Sequence, residues 1–193
     1  MKMNHNLMGF NRSRGFTIVE LMVVITIIGI LAFIATPSFR EIKRNSELTS
    51  ATNNLMAALN TARTEAMKSG VNAGVVPTTG TDWNSGMTIF VDRNLNNVFD
   101  AGDTLLTNTE VLPAYFTVTP SNANNFVMFN ASGYLYTFGG VFTNTTFSIA
   151  RNDLTGSELL NQTRRIKVAT SGRVRTCKPT GQPGDNCTAG TTD

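Results

Sequence analysis

Apolar residues run from Phe16 to Ile34 with Glu20 as their one charge, nineteen residues in all. At about 1.5 Å of rise per residue, a helix of that length nearly crosses the roughly 30 Å hydrocarbon core of a bilayer. Beyond Pro37 the pattern loosens. Phe39, Ile42, Leu48, Ala51, Leu55, Ala58, Leu59, Ala62 and Ala66 recur mostly every three or four positions, while Arg40, Lys43, Arg44, Glu47, Arg63 and Lys68 take other faces. Gly70 follows as a stop signal. The spacing predicts one long helix over 16–69, membrane-spanning over 16–35, amphipathic over 38–69, and bent near Pro37. From Val71 the period drops to two. Short strands are predicted at 71–76, 87–92, 104–111, 116–119, 126–130, 145–150, 164–169 and 173–177. Turn formers such as Thr79-Gly80-Thr81-Asp82, Ser132-Gly133 and Gly139-Gly140 separate them. One long helix followed by many short strands gives an α+β fold, with an antiparallel sheet packed on the helix and 70–193 as the β-rich globular domain.

Charge sets the orientation of the helix. Lys2, Arg12 and Arg14 precede the apolar run, which leaves the amino end in the cytoplasm and sends the remainder outward. They also account for the whole net charge of +3, so the chain from Phe16 onward is neutral. Its charge is unevenly spread, acidic between Asp82 and Glu110 and basic between Arg151 and Lys178, which points to an acidic partner for the carboxy-terminal segment. Glu20 is either an acid tolerated near the helix end or a group that calls for a cation, and none lies nearby in the helix. A cut between Gly15 and Phe16 would create one, the new amino group of a neighbouring copy. A secretory signal peptide cut near Ala35 is the competing explanation. Its usual apolar core is only about 7–15 residues long, and Ala32 and Ala35 do not have the A-x-A spacing.

The run Arg14-Gly15-Phe16-Thr17-Ile18-Val19-Glu20-Leu21 closely resembles the processing site of type IV pilins and type II secretion pseudopilins. The resemblance implies a 1–15 leader removed by a membrane prepilin peptidase, methylation of Phe16, and pairing of Glu20 with a neighbouring subunit's amino terminus in a helical filament. The globular part resembles the FimT and GspH minor pilins. Asp82-Trp83-Asn84-Ser85-Gly86 begins a stretch similar to their tryptophan–glycine strand, and Phe129-Asn130-Ala131-Ser132-Gly133 and Ser171-Gly172-Arg173-Val174-Arg175-Thr176-Cys177 are similar to later strands.

Two segments carry candidate chemistry. A three-residue loop, Thr170-Ser171-Gly172, would close the last hairpin and place Arg165, Lys167, Arg173 and Arg175 on one face, opposite Ile166, Val168 and Val174. Like charges opposed across strands cost stability. Either the face is merely solvated and neutralised by nearby acids, or it binds phosphate. Gly172-Arg173-Val174-Arg175 resembles the Gly-Arg-x-Arg motif through which FimT-type pilins bind DNA in natural transformation, and four phosphate contacts would give a log–log salt slope of about −3 to −4. The second segment sets Asp92, Asn94, Asn96, Asp100 and Asp103 at positions 1, 3, 5, 9 and 12 of a calcium-type loop. Asn97 stands where that loop has glycine, and Asp103 where it has glutamate. These residues also serve simply as turn formers.

Cys177 and Cys187 bracket a short Pro- and Gly-rich loop, and in an exported domain they should form a disulfide. The one histidine, His5, lies in the expected leader, so the mature chain has no imidazole, and no cofactor or enzymatic role is expected. The expectation is a minor type IV pilin anchored once in the inner membrane, its globular domain in the periplasm and then on an extracellular pilus. Its partners would be other pilin subunits, the peptidase and DNA. The rival readings are a minor pseudopilin of a type II secretion system and a monotopic membrane enzyme.

Overall fold

The computed structural model describes residues 15–121, 125–136 and 144–188, the side chain of Pro37 apart; of the expected leader, only Gly15 is among them. Contacts divide the chain into two units, 1–43 and 44–193.

Helix α1, Ile18–Ser69, has 52 residues. Its first-unit portion buries nothing, and its most apolar stretch reaches a mean hydropathy of 2.8. The hydroxyls of Thr26 and Thr36 donate to the carbonyls of Met22 and Ala32, so the polar groups of the apolar run are satisfied within the helix. The backbone stays helical through Pro37. Phe39 and Ile42, expected on the buried stripe, are 68% and 65% exposed.

In the second unit the same helix lays Leu48, Ala51, Leu55, Ala58, Leu59, Ala62 and Ala66 into the core. Among the described residues nine strands follow, in two antiparallel sheets rather than one. β1 (Ala73–Thr79), β2 (Asp82–Val91), β3 (Thr104–Asn108), β5 (Val127–Phe129) and β6 (Leu135–Tyr136) make a five-stranded sheet in the order β3-β2-β1-β5-β6. β4 (Phe116–Pro120), β7 (Thr145–Arg151), β8 (Thr163–Val168) and β9 (Val174–Cys177) make a four-stranded sheet in the order β4-β7-β8-β9. A short helix α2, Gly156–Asn161, leads into β8. Trp83 of β2 meets Phe147 of β7 edge-on, with ring centroids 4.7 Å apart, and so joins the two sheets inside the core.

β2 begins at Asp82, five residues before the predicted strand, although Asn84, Ser85 and Gly86 are turn formers. Side-chain bonds hold them extended. Asn84 Oδ1 accepts from Val118 N at 2.8 Å, and Ser85 Oγ accepts from Thr79 N and donates to the Asp82 carbonyl.

The end of β7 is fixed by a charged cluster. Arg151, 1% exposed, donates through Nε and Nη2 to the two Asp153 carboxylate oxygens at 2.9 and 2.8 Å. From the helix, Arg44 donates to the same carboxylate at 2.7 Å and lies 5.0 Å over the Tyr115 ring, whose hydroxyl donates to Glu47. Hydrogen bonding from Arg151, aided by the nearby positive charges, holds Asp153 below the usual carboxylate range against the opposing effect of burial. Asp153→Asn should therefore cost about 2 kcal/mol at pH 7, less than a fully buried pair because the carboxylate is partly exposed. The folded-state pKa is depressed, so this stability is present above the unfolded value of about 3.9 and is lost as pH falls below it. Urea melts of the two proteins should differ most at pH 7, and the difference should shrink progressively as pH falls below about 3.9.

Candidate functional site

Gly15 has open space around its Cα, and Phe16 is 80% exposed. Thr17 caps helix α1 with Glu20 in a reciprocal box. Thr17 N and Oγ1 both donate to Glu20 Oε2 at 2.9 Å, and Glu20 N donates back to Thr17 Oγ1 at 3.2 Å. The sequence shows no cation near Glu20 in the helix, and the partner that Glu20 has among the described residues is the uncharged Thr17. The signal for it, Thr-x-x-Glu before an apolar run, is visible in the sequence at 17–20. Thr17 is thus the residue that the reading of this site missed.

At the other end of the chain, β8 and β9 pair Arg165 with Cys177, Lys167 with Arg175 and Val168 with Val174, the register of a three-residue loop. Ala169 N donates to the Arg173 carbonyl at 3.0 Å, and Gly172 N to the Ala169 carbonyl at 2.8 Å. Ile166 and Val168 point into the core. The turn is seated on the rest of the domain. From helix α1, Arg63 donates through Nε to the Gly133 carbonyl at 2.9 Å and through Nη2 to the Ser171 carbonyl at 3.3 Å. Leu135 N donates to the Thr170 carbonyl at 3.0 Å.

The opposite face of the hairpin is not uniformly open. Cys177 and Cys187 are bridged, and the loop between them folds back over the strands. Asn186 O accepts from Lys167 Nζ at 3.2 Å, and the Cys187 carbonyl accepts from Arg165 Nη1. Lys167 is only 4% exposed and Cys187 3%. Arg165 also donates to Ser148 Oγ at 3.3 Å. Of the four bases expected on one accessible face, two lie under the loop, whereas Arg173 stands exposed at the tip and Arg175 is half-buried. The covering contacts are made by backbone carbonyls, which leave no trace in the residue pattern.

Asp185 shapes the loop, accepting from the N–H groups of Thr180 (2.7 Å), Gly181 (3.3 Å) and Cys187 (2.7 Å). Those bonds, led by Thr180 and Cys187, hold its carboxyl below the ordinary value.

In the 92–103 loop the oxygens are already engaged. The buried Asp92 accepts from Asn96 N and Asn97 N, Asp103 from Arg93 N and Asp100 N, and Asp100 from Gly102 N. Asn94 and Asn96 turn their amide nitrogens, not their oxygens, toward Asp100 Oδ2, at 3.0 and 2.7 Å. Asn97 takes the positive φ of 62° that the calcium-type loop reserves for glycine. Among the described residues, no group of three or more His, Cys, Asp or Glu is placed to hold a metal ion. A cavity of about 570 Å³ beside this loop is walled by Val76, Pro77, Thr88, Asn97, Phe99 and Phe126 among others, and its described walls include no acid, base or thiol.

Residues 51–172, more than half of the chain, match the family model described as Type II transport protein GspH, and residues 10–36 match the prokaryotic N-terminal methylation motif. Over 46 residues, 24% of the chain, identity is 52% to the type IV major pilin protein PilA of Myxococcus xanthus, of which 21% is covered. Over 47 residues it is 47% to the type IV major alpha-pilin of Moraxella bovis, of which 30% is covered. The chain therefore spans less than a third of the length of either relative. Among solved structures, the type IV minor pilin FimU of Pseudomonas aeruginosa is similar at 23% identity over 75% of this chain and 96% of that one, with a TM-score of 0.55, a likeness of fold.

Proposed function

The chain belongs to the GspH family, and on that premise we propose that it is a minor subunit of a type IV pilus, assembled through its amino-terminal helix, with DNA as a ligand of its last hairpin. In this reading, residues 1–15 are a leader removed by a prepilin peptidase after Gly15, and the amine of Phe16 is methylated. The apolar half of helix α1 holds the protein in the inner membrane with its globular domain in the periplasm until it joins the filament with other pilin subunits. The observation that carries the proposal is the exposed apolar helix, opening at Thr17 and Glu20 directly after an accessible Gly15–Phe16 bond. Mass spectrometry of the membrane-extracted protein should find N-methylated Phe16 at its start. A product still beginning at Met1 would overturn the reading.

The DNA-binding part is supported by Arg173 at the exposed hairpin tip and by Arg175 two residues on. Guanidinium groups suit phosphate, and such binding is independent of sequence and sensitive to salt. With Arg165 and Lys167 under the loop, the expected log–log salt slope on duplex DNA is about −2 rather than −4. Arg173→Gln with Arg175→Gln should abolish retardation of DNA by a chain whose circular dichroism shows it still folded. Unchanged retardation would remove this ligand.

The second reading is a minor pseudopilin of a type II secretion system, which the family description favours. A deletion strain scored for transformation, twitching motility and protein secretion separates the two.

A further inference from the structure

Building on the DNA reading of the last hairpin, we infer that the bridged loop between Cys177 and Cys187 is a built-in cover for half of the binding face, a neutral competitor that a polyanion must displace. The chain leaves β9 at Cys177, directly opposite Arg165, and returns at Cys187. On the way back it sets the Asn186 carbonyl on the Lys167 ammonium at 3.2 Å and the Cys187 carbonyl on the Arg165 guanidinium. Those two bases are the ones that the strand alternation puts beside Arg173 and Arg175.

The chemistry suits a cover better than a permanent neutralisation. The two carbonyl oxygens accept from Lys167 and Arg165 without bringing a negative charge of their own, and Lys178 and Asp185 balance each other within the loop. The loop thus adds no net charge to the face while it occupies hydrogen-bonding groups there. A carboxylate in the same place would have made a salt bridge that phosphate has to break. The loop arrives pre-shaped, because Asp185 collects the N–H groups of Thr180, Gly181 and Cys187. The bridge holds it at high effective concentration over the face. Cutting that tether removes the covalent constraint and leaves the loop to its own hydrogen bonds and packing.

The test compares the full-length chain in detergent with its Cys177→Ser/Cys187→Ser form, using two independent readouts. The first is the rate at which an N-hydroxysuccinimide acetate ester modifies Lys167, followed by mass spectrometry. A covered amine reacts only through local opening, so the rate should rise about tenfold or more without the bridge. Asp185→Asn, which keeps the bridge but weakens the carboxylate that organises the loop, should raise the rate part-way. Unchanged rates in both variants overturn the cover whether or not DNA binds. The second readout is anisotropy with a 30-base-pair duplex across a salt series. Release of the cover should steepen the slope from about −2 to about −4 as two further phosphates are engaged. Faster acetylation with an unchanged slope and affinity overturns the competition and leaves the DNA reading standing. If Arg173→Gln/Arg175→Gln leaves the bridged chain's DNA binding intact, the DNA reading falls and the acetylation result alone decides whether the loop covers Lys167.

Discussion

Glu20→Ala is expected to exclude the chain from filaments, with incorporation falling at least about tenfold, while the melt of the globular domain stays unchanged. A carboxylate at the centre of a spanning helix costs about 2.5–3.5 kcal/mol on insertion scales, less in its first turn where Glu20 stands, and such groups persist where they are paired. Two roles compete to explain it. Glu20 closes a capping box with Thr17, which satisfies N–H groups at the start of helix α1. In the proposed filament it also meets the amine of a neighbour's Phe16, a charge-assisted contact. Glu20→Gln separates them, because glutamine serves a capping box as glutamate does but carries no charge. If the ion pair matters, Glu20→Gln should fail to incorporate almost as completely as Glu20→Ala, whereas Thr17→Ala should incorporate with only a modest loss. Quantitative immunoblots of sheared filaments make the comparison. Normal incorporation of Glu20→Gln would reduce Glu20 to a cap.

The second large effect belongs to Gly172→Ala, expected to destabilise the globular domain by about 3 kcal/mol. Gly172 sits at φ 76°, where an L side chain costs about 1–2 kcal/mol. A Cβ there would overlap the Gly133 carbonyl oxygen and stand 2.8 Å from Arg63 Nε, so the hairpin tip must lift from both. Overpacking of that kind adds about 1–3 kcal/mol. The thermal midpoint should drop by roughly 6–12 °C, read by circular dichroism. The glycine of the Gly-Arg-x-Arg stretch therefore has a structural task. Loss of DNA binding in Gly172→Ala alone would say nothing about contact with DNA, whereas loss in Arg173→Gln/Arg175→Gln at an unchanged melting temperature would.

The hairpin register was legible because only a three-residue loop keeps Ile166 and Val168 on one side and the bases on the other. The buried stripe from Leu48 to Ala66 was legible for the same reason, a period that only one element satisfies. What escaped depends on partners distant in sequence. Asn84 and Ser85, turn formers by residue type and outside the strand that the alternation predicts, are held in β2 by bonds to Val118 and Thr79. The division into two sheets rests on packing such as that of Trp83 on Phe147, which no local pattern announces. β6 has only two residues and α2 only six, below the length at which periodicity speaks. The spacing of Asp92, Asn94, Asn96, Asp100 and Asp103 shows oxygen-bearing side chains in sequence but not the neighbouring N–H groups that hydrogen-bond to them. The loop over Lys167 was hidden because carbonyls belong to every residue alike.

Arg63 grips two turns at once, one from each sheet, from a single position on helix α1. The hairpin tip is thereby geared to that helix. If the helix were rotated about its own axis, Ser171 and the arginine beyond it would be carried round through the same angle. Whatever sets the azimuth of residues 44–69 also sets the compass bearing of Arg173, and a neighbour that locks the one has aimed the other.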